Sequence, residues 1–128
     1  MATAVRDLWP ADIGVTTLIT PVSILREQAT LLGEKTKHLV DAEVVSTPNG
    51  PGMVHSFILV APAIGGYKYR LLRVIHNVDV YPLTLHFEPT NTQTEASNQE
   101  DFEKQLGSIF SSDKTQNIVK SLIAQSQQ

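Results

Sequence analysis

The chain has 128 residues, a net charge of −3, and a composition that is 41% hydrophobic and 18% charged, which suits one globular domain with a single core. It contains no cysteine, which excludes disulfides, thiolate metal sites and cysteine nucleophiles. The acidic balance gives no electrostatic reason to expect binding to nucleic acid or to an anionic membrane. No apolar run approaches the ~20 residues that span a bilayer, and residues 1–9 lack the apolar region of a secretory signal. We therefore expect one cytoplasmic domain, residues 1–128, that binds neither nucleic acid nor membrane.

The N-terminal residues 1–20 show no clear period, yet side chains such as Trp9 and Ile13 make them too apolar for a free tail. We expect an ordered arm that packs over the core, with a short strand near residues 13–19. A first helix is predicted over 21–37, because Thr20 can cap it and Pro21 suits its first turn. Its apolar residues fall within one half of the helical wheel.

Four strands are predicted within residues 39–87, and the first two connections are rich in proline and glycine. Short connections imply antiparallel neighbours, hence a meander in the order 1-2-3-4. Residues 88–97 are predicted to be a polar loop, and 98–126 to be two helices, with a capping signal from Ser97 to Glu100. The predicted class is α+β, with an N-terminal helix, a four-stranded antiparallel sheet and two C-terminal helices. The strand ranges are 39–46, 53–61, 67–76 and 83–87.

A register for the predicted sheet follows from placing the apolar residues together. The pairings are Ala61 with Tyr67, Val74 with Thr84, and Ser46 with Met53. One face, which the helices are expected to cover, then collects Val40, Ala42, Val44, Phe57, Leu59, Tyr69, Leu71, Ile75, Leu83, Leu85 and Phe87.

Polar residues interrupt this predicted core. The register places Arg73 on the core face opposite His55, and Gln28 lies near the middle of the apolar arc of the helix. A buried guanidinium must be paired or must reach solvent. In one interpretation Gln28 satisfies a backbone carbonyl and Arg73 lies at the rim. In the other, a small molecule binds in a pocket between helix and sheet, lined by Gln28, His55, Tyr69 and Arg73.

The opposite face of the predicted sheet is unusually apolar. It shows five aliphatic side chains in the middle strands, flanked by charges of both signs, as protein contact surfaces often are. The five are Val54, Ile58, Val60, Leu72 and Val74. Either the arm or the last helix covers this face, or it binds protein. The prediction is a protein-binding or accessory module that uses this face for self-association, as a homodimer, or for a partner; the alternative is a small-ligand-binding protein or an enzyme with a pocket around Arg73.

Motifs for catalysis are absent from the sequence. There is no phosphate-binding loop, dinucleotide fingerprint, nucleophile elbow or HExxH zinc motif. The register places His76 and His86 on the outer face and His55 on the core face, and His38 follows the first helix. No two histidines have the short spacing of metal ligands. We predict no metal, no cofactor and no catalytic residue.

One short stretch resembles a known family. Gly65-Gly66-Tyr67, followed by Tyr81-Pro82 and Pro89, is similar to the hairpin and Tyr-Pro signature of ubiquitin-conjugating and related RWD domains. The chain departs from that pattern in having no cysteine and no His-Pro-Asn, and in a longer spacing between the two parts. The resemblance implies a binding module without catalytic activity.

Overall fold

The computed structural model describes residues 5–128. Its first helix, α1, spans Pro21–Lys35. Thr20 Oγ1 accepts a hydrogen bond from the Ser23 N–H at 3.3 Å, which satisfies one of the free donors of the first turn. The helix ends two residues before the predicted boundary, because Lys37 and His38 have φ of 53° and 63°, a left-handed conformation that reverses the chain.

The sheet is an antiparallel meander in the order β1-β2-β3-β4-β5, which confirms the predicted meander and adds a strand. The strands are β1 Asp41–Asn49, β2 Gly52–Ala61, β3 Tyr67–Asn77, β4 Leu83–Phe87 and β5 Thr92–Ala96.

The added strand β5 lies inside the predicted loop 88–97. A 3₁₀ turn over Glu88–Thr90 and a left-handed Asn91, with φ of 52°, turn the chain back beside β4. β5 is exposed at its first four residues, and only Ala96 is buried. A polar strand at the sheet edge has no apolar alternation, and this is why its sequence resembles a loop.

Two helices follow the sheet, as predicted for residues 98–126: α2 over Gln99–Ser111 and α3 over Asp113–Ser126. The cap of α2 is Asn98, whose Oδ1 accepts from the Asp101 N–H at 2.8 Å. All three helices pack on one face of the sheet. Their buried side chains, among them Leu25, Phe102 and Leu122, join the buried strand residues in one core.

A β-bulge in β3 decides which side chains enter this core. Phe57 pairs with Leu72 but Ile58 pairs with Arg70, which leaves Leu71 as an extra residue. Leu71 and Leu72 are both buried, so the bulge keeps two consecutive leucines on the core side. Beyond the bulge the alternation is inverted relative to the prediction.

The predicted register therefore needs three corrections. His55 lies opposite Val74 and not Arg73, and the next hairpin pairs Thr84 with Ile75 rather than Val74. Ser46 pairs with His55 and not with Met53. This last slip is of two residues, so the predicted faces of β1 and β2 are correct.

The N-terminal arm, residues 5–19, does not pack over the core and contains no strand. Its backbone forms local turns, with hydrogen bonds from the Ile13 N–H to the Pro10 oxygen and from the Val15 N–H to the Asp12 oxygen. Its large apolar side chains are exposed, and Trp9 is 72% exposed. The expectation of a covering arm with a strand near 13–19 is wrong. Across residues 5–128, no helix combines the length and apolarity needed to cross a membrane.

Candidate functional site

The outer face of the sheet, opposite the helices, carries aliphatic side chains that are flanked by charged ones. Residues that pair across strands share a face, so the pairings of Val54 with Thr47 and Ile75, and of Ser56 with Val45 and Arg73, place all six on this face. No described helix packs against it. The aliphatic patch, as we define it, consists of Val45, Val54, Ile58, Val60 and Ile75.

Two of the five predicted surface residues lie elsewhere. Leu72 and Val74 are 0% exposed and belong to the core, because the bulge shifts both to the helix side. Val54, Ile58 and Val60 are on the outer face and are partly exposed. The role of these three in partner binding stays a prediction.

Two arginines and one histidine surround Glu88 on the outer face. Arg73 Nε lies 2.8 Å and Arg70 Nε 3.1 Å from Glu88 Oε1. His86 Nε2 lies 3.7 Å from Glu88 Oε2, and the histidine is only 5% exposed. The contact of Arg73 with Glu88 is a charge contact and not an aligned hydrogen bond, since both buried atoms lack a hydrogen-bond partner. Here Arg73 is paired on the outer face, and its predicted place on the core face is wrong.

The four residues of the predicted ligand pocket are not brought together. Gln28 lines a cleft of about 220 Å³ between α1, α3 and the sheet, with Phe57 and Leu71. Tyr69 lines a separate open cleft beside α3. His55 lies in neither of these clefts, and Arg73 is on the other face of the sheet.

His55 belongs to a chain of hydrogen bonds at one end of the core face. Its Nδ1 lies 2.7 Å from Ser46 Oγ and its Nε2 lies 2.9 Å from His76 Nε2. His76 Nδ1 in turn lies 2.7 Å from the backbone oxygen of Asn77. We call Ser46, His55 and His76 the serine–histidine chain. His76 is therefore on the core face, and its predicted place on the outer face beside His86 is wrong.

Burial lowers the pKa of His55, the middle residue of the serine–histidine chain. His55 is 4% exposed, and its pKa is lowered from the ordinary 6.5, first by loss of solvent, then by the neighbouring His76 and then by Arg26 on α1. A lowered pKa keeps the imidazole neutral near pH 7. A neutral imidazole has one nitrogen free to accept a proton.

Sequence reasoning missed the serine–histidine chain for two separate reasons. The two-residue slip between β1 and β2 hid the contact of Ser46 with His55, and the bulge hid that of His55 with His76. The prediction placed His55 on the core face, and its pairing of Ser46 with Met53 implies the same face for Ser46; this was the available signal. In the part of the chain that the structure describes, no group of three histidine, aspartate or glutamate side chains is arranged to hold a metal ion.

Comparisons of this chain with protein-family models, with curated proteins and with solved structures find no match. The RWD-like stretch at residues 65–89 is therefore not supported by a family model.

Proposed function

We propose that this chain is a protein-binding module that self-associates through the outer face of its sheet. The observation that carries the proposal is the aliphatic patch, which no described element of the chain covers. Isolated exposed aliphatic residues are ordinary, but a contiguous set on an open sheet face is typical of contact surfaces. The three helices lie on the other face and cannot reach it without unpacking the core.

Charge on the same face supports a second copy of this chain as the occupant. A two-fold dimer brings one patch against itself, so the surface must be complementary to itself. A face of one sign would repel its copy, whereas this face carries both signs beside the aliphatic patch. Its acidic residues are Glu43, Glu88 and Glu95, and its basic residues are Lys68, Arg70 and Arg73.

The arm adds apolar surface that also lacks cover. Leu8, Trp9 and Val15 are among the seven large apolar residues of the arm that are about half exposed or more, from 49% to 93%. The arm enters α1 at Thr20. α1 runs antiparallel to β1, because Gly33 near its end lies against the Asp41 carboxylate at the start of β1. Arg26 near its start acts on His55, which pairs with Ser46 near the end of β1. The arm thus leaves the body at the end of the sheet where Thr47 and Val54 lie, within reach of an adjoining copy.

The test is the mass of the particle in solution, measured by light scattering over a range of concentrations. The unaltered chain is expected to be a dimer, and Ile58→Glu a monomer, because a carboxylate at the centre of the patch would have to be desolvated in the dimer. Val78→Glu is the matched control: Val78 is 79% exposed in the loop after β3, so the same charge there is expected to leave the dimer intact.

The same measurement can show whether the arm takes part in the interface together with the aliphatic patch. If Trp9→Asp weakens the dimer as strongly as Ile58→Glu does, the arm is part of the interface; if it has no effect, the sheet faces alone form it. A chain that is monomeric at all concentrations, or an Ile58→Glu variant that dimerises like the unaltered chain, would exclude self-association through this face.

A further inference from the structure

The proton positions along the serine–histidine chain can be deduced from the backbone oxygen of Asn77, which lies next to His76 at the end of the chain. The backbone oxygen of Asn77 can only accept, so His76 Nδ1 donates to it. When both rings are neutral, each imidazole donates from one nitrogen and accepts at the other, and His76 Nε2 then accepts from His55 Nε2. His55 Nδ1 is then an acceptor, and Ser46 Oγ must donate its proton to it. Every donor in the chain points the same way, away from the serine.

The two imidazoles face each other through their Nε2 atoms, which are 2.9 Å apart. Their ring planes are tilted by 34°, and their centroids are 5.0 Å apart. A separation of 2.9 Å between two nitrogens is that of a hydrogen bond, so one proton is held between them. This hydrogen bond also orients His55, because rotation of that ring would break both of its hydrogen bonds.

Solvent exposure within the serine–histidine chain allows a reaction at Ser46. His55 is buried, while Ser46 is half-buried. β1 is an edge strand, so a molecule can approach Ser46 from the side of the sheet. Every second backbone N–H of an edge strand is unpaired, and such N–H groups can stabilise a developing oxyanion.

We propose that Ser46 is a nucleophile that accepts acyl groups from small esters, with His55 as its general base and His76 as the positioning residue that holds His55. A hydroxyl donating to an imidazole that is held by a third group is the general arrangement of an activated nucleophile. The site is at the β1 edge and distinct from the outer face, so it does not depend on self-association.

The reaction balances without a further reactant. Ser46 Oγ forms a bond to the acyl carbon as its proton passes to His55 Nδ1. The bond between the acyl carbon and the leaving oxygen then breaks, and that oxygen leaves with the electron pair and takes a proton from His55 or from water. His55 carries the positive charge in between, while its Nε2–H stays hydrogen-bonded to His76 Nε2, which holds the ring in position.

The first experiment treats the full chain with p-nitrophenyl acetate, follows the release of nitrophenolate and locates the acetyl group by peptide mass spectrometry. We expect acetylation at Ser46, absent in Ser46→Ala, and about 10²-fold slower in His55→Gln, a typical effect of removing a general base. Ser108→Ala, on the exposed side of α2, is the control and is expected to react like the unaltered chain.

The positioning role of His76 has its own readout. His76→Asn is expected to slow acetylation about tenfold or more, within the range for general-base effects. It also removes one of the causes that lower the pKa of His55. The acid limb of the rate profile is therefore expected to move to higher pH, which a purely structural loss would not produce.

A second experiment avoids the risk that His55→Gln fails to fold. The chain has no cysteine, so Ser46→Cys and Thr47→Cys each introduce a single thiol, one beside His55 and one on the outer face. Iodoacetamide at pH 7 is expected to alkylate the first about tenfold faster or more, because a neighbouring base favours the thiolate. Equal alkylation rates in the two variants, or acetylation of Ser46 no faster than of other serines, would overturn the proposal.

Discussion

The two faces of the sheet are made by the same strands but differ in what covers them and in how they hold polar groups. On the core face, three helices close over Phe57, Leu59 and Leu85, and the polar groups form the directed serine–histidine chain. On the outer face, no described element covers the aliphatic patch, and the polar groups meet as charge contacts around Glu88. Since a side chain's face depends only on its position in the alternation, a single extra residue in β3 decides which chemistry belongs to which face.

The largest expected effect on the free energy of unfolding comes from comparing two variants that place the same charge at adjacent positions of β3. Val74→Glu puts a carboxylate into the core without a partner and is expected to lower the free energy of unfolding by about 3–5 kcal/mol. Ile75→Glu puts the same carboxylate on the outer face and is expected to change it by about 1 kcal/mol or less. Urea unfolding of dilute protein measures both values. The opposite ranking would mean that β3 lacks the bulge and that the faces are exchanged.

The same bulge marks the limit of what the sequence could predict. Alternation and turn residues sufficed for the helix at Pro21, the meander and the C-terminal helices, because these are local patterns. Leu71-Leu72, however, is compatible with two phases of the strand, and only the fit of both leucines under the helices selects one. The choice moved Arg73, Val74 and Ile75 to the faces opposite those predicted.

The sequence could not predict contacts between strands that are distant in the chain, or the exposure of the N-terminal arm, for related reasons. β5 has no apolar alternation, so its existence depends on pairing with β4. The arm looked too apolar to be free, and composition does not say whether such a segment packs on its own chain. The serine–histidine chain joins three strands and required a register exact to one residue. The site was therefore predicted less well than the fold, because it depends on register and the fold does not.

Acid is expected to destabilise the core face through His55. The pKa of this histidine is lowered below the ordinary 6.5 in the folded chain, so between the two values the unfolded chain binds more protons than the folded one. The contribution of neutral His55 to the free energy of unfolding is therefore complete above about pH 6.5. It falls as the pH drops below that value, and it is lost entirely below the pKa of His55 in the folded chain. Urea unfolding at intervals from about pH 7.5 to pH 5 measures this slope.

The slope should depend on the buried His55. His55→Gln is expected to flatten it, whereas Ser108→Ala, at an exposed position of α2 without a titratable side chain, is expected to leave it unchanged. The pKa of Asp101 is also lowered, chiefly by hydrogen bonding from the Ser97 backbone, but from a starting value of 3.8. Its stabilisation is lost only as the pH falls below that value, outside the measured window. An unchanged slope in His55→Gln would mean that His55 is not the buried group that titrates.

The smallest expected effect also tests whether a second copy of the chain covers the outer face. Lys68 Nζ lies 2.8 Å from Glu43 Oε1, with both side chains about half exposed. Such a pair contributes about 0.2–1 kcal/mol in a double-mutant cycle, and salt screens it. We expect that value for Glu43→Gln and Lys68→Met in dilute, monomeric protein. If a second copy covers the face at higher concentration, the coupling should grow and lose its salt dependence, because the pair then leaves water. A small, salt-sensitive coupling at every concentration would show instead that the pair stays in water and that the copies do not meet over it.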